Sequence, residues 1–189
     1  MDDKKIAKSP FAALCCLNSK YIHASLAPWC LLAGINTYAP QISACVAEGT
    51  INEAQEDVLN RLVKIGAKVY LFSCYIWNIQ CTCWLAQKLK ESCPDVKIVF
   101  GGPEVAYRAQ NVLQNMPFVD YVSSGEGEYP TAVLLTALKN GRSVQGVPGL
   151  SFRKENEIMV EEPYVTDEIP PSPYTEQFLS ELKGHIAYL

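Results

Sequence analysis

The chain has 189 residues, 49% of them hydrophobic, enough for one ordinary domain with a packed core and an appendage. Its net charge of −4, with no cluster of lysine or arginine, argues against a nucleic-acid surface. The opening stretch MDDKKIAKSP has charges but no apolar segment behind a cleavage site, and the apolar run at 26–35 is too short to span a bilayer; a cytoplasmic protein without membrane contact is expected.

The first ten residues read as a disordered leader. Residues 11–17 then form the first of five short apolar runs, the others being 42–47, 69–74, 97–100 and 118–123. They carry little charge and many β-formers, as strands buried on both faces do. Helical patterns lie between them. Residues 25–38 predict a helix that tolerates Pro28 in its first turn. Residues 50–66 predict another, opened by a Thr50/Glu53 capping box, with apolar residues repeating at three and four, and closed by Gly66. A helix follows Asn78, a weaker one covers 104–115, and one beginning near Pro130 stops at Gly141.

Strand alternating with helix implies right-handed crossovers and a parallel sheet covered on both faces. The expected fold is α/β: a flavodoxin-like or Rossmann-like doubly wound sheet of five parallel strands in the order 2-1-3-4-5. Near residue 141 the pattern changes. GLSFRKENEIMVEE reads as a hairpin turning at 154–156, and DEIPPSPY as a proline-stiffened linker, so the α/β domain is placed at 11–141 and a hairpin with connector at 142–189.

Eight cysteines invite a metal reading, but no Cys-x2-Cys pair occurs, so buried, reduced thiols are expected and no metal ligand is assigned. Nucleotide signatures are missing too: no Gly-x-Gly-x-x-Gly follows the first strand and no Walker loop occurs. In an open parallel sheet, ligands bind beyond the carboxyl ends of the strands. Four loops meet there: one with Ser19, Tyr21 and His23; one with Ser73, Tyr75 and Trp77; one with Gly101, Gly102, Pro103 and Glu104; and one with Gly125, Glu126 and Gly127.

The stretches NSKYIHASLAPW, LFSCYIW, VFGGPEV and SGEGE, in this order after these strands, resemble the cobalamin-binding domain that precedes the catalytic barrel of cobalamin-dependent radical SAM proteins. The resemblance runs from about residue 11 to 140, and the connector also looks like that family's. The wider family's pattern is Asp-x-His-x-x-Gly, then Ser-x-Leu, then Gly-Gly. Ser73, Gly101 and Gly102 keep the later elements, with Tyr75 in place of leucine. His23 falls near the histidine position, but Tyr21 stands for the aspartate and Leu26 for the glycine, which leaves the imidazole without the carboxylate that usually orients a metal-bound histidine. Lining the loop is therefore the alternative role for His23.

What the resemblance implies is a cobalamin-binding module holding its cofactor base-off, with the nucleotide tail in a channel between the first and fourth strands. The two glycines would bare the backbone to the tail, or form only a turn. Ser73 would hydrogen-bond the tail, or satisfy a loop amide. Tyr75 and Trp77 would offer flat area to the corrin, or join the core. Glu126 would meet ligand amides, or favour the helix start. The family's 4Fe-4S cluster and S-adenosylmethionine are expected only in a radical SAM barrel of the same polypeptide, since no Cys-x3-Cys-x2-Cys occurs here and GHIAYL looks like a barrel's entry strand. The chain is thus expected to bind and not to catalyse. The alternative is a flavodoxin-like interaction domain that has lost the cofactor.

Overall fold

A computed structural model describes residues 9–21, 23–182, 184 and 186–187. All but two residues of the expected leader lie outside that range. The chain begins with strand β1 (Ala12–Asn18), a two-residue β2 (His23–Ala24) and helix α1 (Leu26–Tyr38). Next come β3 (Ala44–Thr50), α2 (Gln55–Ile65), β4 (Val69–Ser73) and α3 (Ile79–Ser92). The second half holds β5 (Lys97–Gly101), α4 (Pro103–Ala106), α5 (Ala109–Asn115), β6 (Tyr121–Ser123) and α6 (Glu128–Lys139). A hairpin of β7 (Leu150–Lys154) and β8 (Glu157–Met159), a short α7 (Glu176–Glu181) and β9 (Ile186–Ala187) complete it.

The five parallel strands take the expected order, β3-β1-β4-β5-β6. The sheet nevertheless has seven strands and not five, because β7 pairs antiparallel with β6 and β8 continues beyond it. Had β6 been the outermost strand, it would have presented a bare hydrogen-bonding edge; the hairpin covers it. A separate two-stranded sheet joins β2 to β9.

Alternation along the strands divides the core into two layers. Ala13, Cys15, Tyr70, Phe72, Ile98 and Phe100 face α2, α3, α4 and α5. Ala12, Leu14, Leu71 and Val99 face α1, α6 and α7. On this second side α1 and α6 cross closely: a side chain at Gly34 would lie 2.5 Å from the Glu128 carbonyl oxygen. That crossing decides the spacing of the two helices above the sheet.

Three local expectations change for identifiable reasons. β3 extends through Thr50, which pairs with Asn18, so α2 starts only at Gln55. The Thr50–Glu53 pair still forms, with the Thr50 amide donating to Glu53 Oε1 at 2.8 Å, but it shapes the loop before the helix. The helix expected over 104–115 breaks into α4 and α5; the Ala106 carbonyl, which would have continued it, accepts the Ser124 hydroxyl at 2.9 Å. β6 shrinks to three residues because Asp120 replaces a ladder bond, its carboxylate accepting from the Ile98 amide at 2.8 Å and from Lys90 at 2.9 Å.

Candidate functional site

At the carboxyl edge of the sheet the register aligns three small residues. Ser73 of β4 pairs with Gly101 of β5, and Gly101 pairs with Ser123 of β6. Because Leu71 and Val99 belong to the α1/α6 side of the core, alternation turns Ser73 and the bare face of Gly101 to that side as well. Above this row lies a cleft of about 330 Å³, walled by Ala27, Cys30 and Leu31 of α1 and by Glu128 and Thr131 of α6, with Leu71 and Val99 as its floor. The volume lies within the usual range for small-molecule sites. The cleft stands over the third and fourth parallel strands and not between the first and fourth.

The paired glycines divide their labour. Gly102 has φ +99° and ψ 171°, a conformation open essentially to glycine alone, and a side chain there would press the Cys74 carbonyl oxygen at 2.7 Å. It makes the turn into α4. Gly101 has ordinary strand geometry, and a Cβ there would meet nothing nearer than the Ser123 carbonyl oxygen at 3.6 Å. Nothing in the backbone requires glycine at 101; its absent side chain leaves the cleft mouth open. Among the described residues the hydroxyls of Ser73, Ser123 and Thr131 are tied to no other protein group, and none is sealed from the cleft. Ser73 and Thr131 are buried residues and Ser123 is half-buried, and all three hydroxyls stay accessible from the cleft, so they suit a ligand.

A second opening of about 360 Å³ adjoins the first, sharing Ala27 and Tyr75 with it and bounded by Ser19, Ser25 and Trp77. Tyr75 and Trp77 stack at 4.5 Å with their planes 5° apart, and Trp77 is half exposed, so the pair is a shelf and not core. Asn78 holds the shelf in place. It is fully buried; its Nδ2 donates to the Leu17 carbonyl at 3.1 Å and the Ser73 carbonyl at 3.0 Å, and its Oδ1 accepts from the Tyr75 amide at 2.8 Å. One side chain thereby ties the ends of β1 and β4 to the aromatic loop.

Other expected residues stand further off. Pro103 is the first residue of α4, and Glu104 is ion-paired with Arg108 one turn on; neither lines the cleft. Tyr21 is exposed and donates its hydroxyl to the Asn52 carbonyl at 3.1 Å, pinning the first loop to the one after β3. The backbone of His23 forms β2, while its imidazole lies outside the described residues. Gly125, Glu126 and Gly127 do rim the cleft. Their loop is sutured to the connector: the Glu126 amide donates to the Tyr164 carbonyl at 2.8 Å, and the Tyr164 amide to the Ser124 carbonyl at 2.9 Å. The Tyr164 backbone occupies the space that a side chain at Gly125 would need.

The sequence reading missed Ser123, Thr131, Asn78 and Tyr164 as parts of this site. Asn78 alone carried a signal, as a polar residue at a helix start. Burial pushes the Cys30 thiol up to about 11, with the Glu128 carboxylate adding to the effect, and raises the Tyr75 phenol, aided by neighbouring thiols; both are neutral near pH 7. A larger cavity, about 580 Å³, opens beside edge strand β3. Two of its carboxylates are already engaged, Glu48 by the Ser25 amide at 2.7 Å and Glu53 by Arg61 at 2.7 Å. It contains neither the glycine pair nor the free hydroxyls.

The fold and the cleft define a doubly wound α/β ligand-binding domain of the flavodoxin-like type. The chain belongs to the B12-binding domain family, whose model matches residues 41–135. It is 39% identical over 93 residues to the cobalamin-dependent radical SAM methyltransferase TokK of Streptomyces tokunonensis, which covers 49% of this chain and 14% of that one. It is 33% identical over 125 residues to a 2-(S-pantetheinyl)-carbapenam-3-carboxylate methyltransferase of Streptantibioticus cattleyicolor, covering 63% of this chain and 18% of that one. In fold it is similar to the cobalamin-dependent S-adenosylmethionine radical enzyme OxsB, at a TM-score of 0.75 and 14% identity, with 95% of this chain and 26% of that chain covered. It is also similar to the radical S-adenosylmethionine methyltransferase TsrM of Kitasatospora setae, at 0.64 and 18%, covering 88% and 32%. The chain therefore spans less than a third of each of these proteins. The resemblance carried by its loops is that of the family to which it belongs.

Proposed function

We propose that this chain holds cobalamin base-off at the carboxyl edge of the sheet, with the nucleotide tail in the cleft over β4 and β5 and the corrin beside the Tyr75–Trp77 shelf. The observation that carries this is the bare face of Gly101 between two unengaged hydroxyls, at the mouth of a cleft with an apolar floor. The residues fit the group: Ser73, Ser123 and Thr131 would hydrogen-bond the tail, Leu31, Leu71 and Val99 would surround its base, and Tyr75 and Trp77 would support the macrocycle. Bound cobalamin supplies a cobalt centre able to hold and pass on a methyl group. This chain's residues position the cofactor and shield its tail from water.

The radical SAM chemistry belongs, in this reading, to a barrel of the same polypeptide that would carry the 4Fe-4S cluster and S-adenosylmethionine. The relatives' much greater length and their names support it. The parent would then be a cobalamin-dependent methyltransferase or a related radical enzyme. The other reading, an interaction domain without cofactor, draws on Tyr21 and Leu26, which depart from the family pattern. Both sit in the first loop or at the start of α1, whereas the cleft remains open.

Titration of the purified chain with hydroxocobalamin tests the proposal. The expected result is a shift of the visible spectrum toward the base-off form, with a melting temperature that rises with cofactor concentration. A folded protein that changes neither spectrum nor melting temperature at high micromolar cofactor would refute it.

A further inference from the structure

Resting on that reading, we propose that the cleft selects among cobamides by their lower base, accepting a benzimidazole and discriminating against a purine. Leu71 and Val99 lie two residues before Ser73 and Gly101 along their strands, about 7 Å further from the carboxyl edge. α1 and α6 both start at that edge, and Leu31 and Thr131 sit beside Gly127 there. The polar rim of Ser73, Ser123, Glu126 and Glu128, with Leu31 and the Thr131 hydroxyl beside Gly127, thus gives way to a far end made of Leu71 and Val99. No lysine, arginine, histidine, asparagine or glutamine lines the cleft among the described residues.

The chemistry of the tail follows from that gradient. A dimethylbenzimidazole presents a hydrocarbon edge away from its ribose, and methyl groups on leucine and valine are the surface it needs. An adenine base presents a ring nitrogen and an amine with two N–H donors at the same edge. Leucine and valine side chains can satisfy none of the three groups, and each one buried without a partner weakens binding about 5- to 150-fold.

The test compares three corrinoids on the whole chain, by equilibrium dialysis and melting temperature: cobalamin, its adeninyl analogue, and cobinamide, which has no base. Cobalamin should bind about 10- to 100-fold more tightly than the adeninyl form, and cobinamide should also bind more weakly. Val99→Thr, which adds one hydroxyl to the far end without changing volume, should narrow the gap between cobalamin and the adeninyl form several-fold, with the fold checked by its melting curve. Equal affinity for the two bases would overturn the inference and leave the cofactor reading standing. Cobinamide binding as tightly as cobalamin would overturn it by showing that the tail is not held. If folded protein binds none of the three, the cofactor reading falls and the selectivity with it.

Discussion

Gly101 and Gly102 should respond to substitution in opposite ways. In Gly102→Ala, the added methyl meets the Cys74 carbonyl oxygen at 2.7 Å with the backbone held at φ +99°. That conformation costs a non-glycine residue about 1–3 kcal/mol, and relieving the clash disturbs the bond from the Cys74 amide to the Gly101 carbonyl, 2.7 Å long. A loss of about 3 kcal/mol corresponds to a fall in Tm of roughly 6–12 °C for a chain of this size, with or without cofactor. In Gly101→Val the Cβ has space, with its first neighbour at 3.6 Å, and the strand backbone is compatible. The ligand-free protein should stay within about 1 kcal/mol of the original. Its two methyls, however, enter the cleft mouth, and overpacking of about 1–3 kcal/mol weakens cobalamin binding roughly 5- to 150-fold. Thermal melts with and without hydroxocobalamin, together with a spectral titration, separate the two outcomes. Unaltered cobalamin affinity in Gly101→Val, or an unaltered melting curve in Gly102→Ala, would refute the reasoning.

Asn78→Leu strips three buried backbone groups of their partner and should lower stability by about 3–5 kcal/mol, read as a reduced urea midpoint. Trp77→Ala exposes one face of Tyr75 and should weaken cobalamin binding roughly 2- to 10-fold while leaving the urea midpoint in place. Alkaline pH should unfold the protein through its thiols. Burial, with a further contribution from Glu48, pushes Cys16 up to about 11 against the lowering effect of Ser25, while burial holds Cys15 and Cys74 well above the ordinary thiol range. These groups are protonated in the folded state where the unfolded chain has lost its protons. Their contribution is complete below about pH 9 and declines as the pH rises through 11, by about 2–3 kcal/mol for Cys16 alone. Denaturant midpoints measured from pH 7 to 11 should fall accordingly, and a flat profile would contradict the burial of these thiols.

Much of the fold was legible because local chemistry repeats its instructions. The apolar runs at 69–74 and 97–100, interrupted only by Ser73 and Lys97, have the composition of strands covered on both faces, and the spacing of Val58 and Leu62 gives α2 one buried stripe. Chain order and right-handed crossovers then led to the order of the five parallel strands. The glycine pair and Ser73 stood out because bare or hydroxylated positions at strand ends are unusual, and they drew attention to the edge of the sheet where the cleft opens. The hairpin, too, announced itself by its turn.

Pairing register and crossing geometry, by contrast, are relations between segments distant in sequence, and no short-range pattern records them. Only the assembled sheet sets Ser123 beside Gly101, closes the β6 edge with β7, and lets Asp120 shorten a strand by substituting for its ladder. The meeting of α1 with α6 at Gly34 opened the cleft over the third and fourth strands, and the return of Tyr164 stitched its rim. Composition and periodicity therefore determined which elements form and in what order. Which of two adjacent glycines turns the chain and which leaves the cleft mouth open was decided by neighbours that only folding brings near.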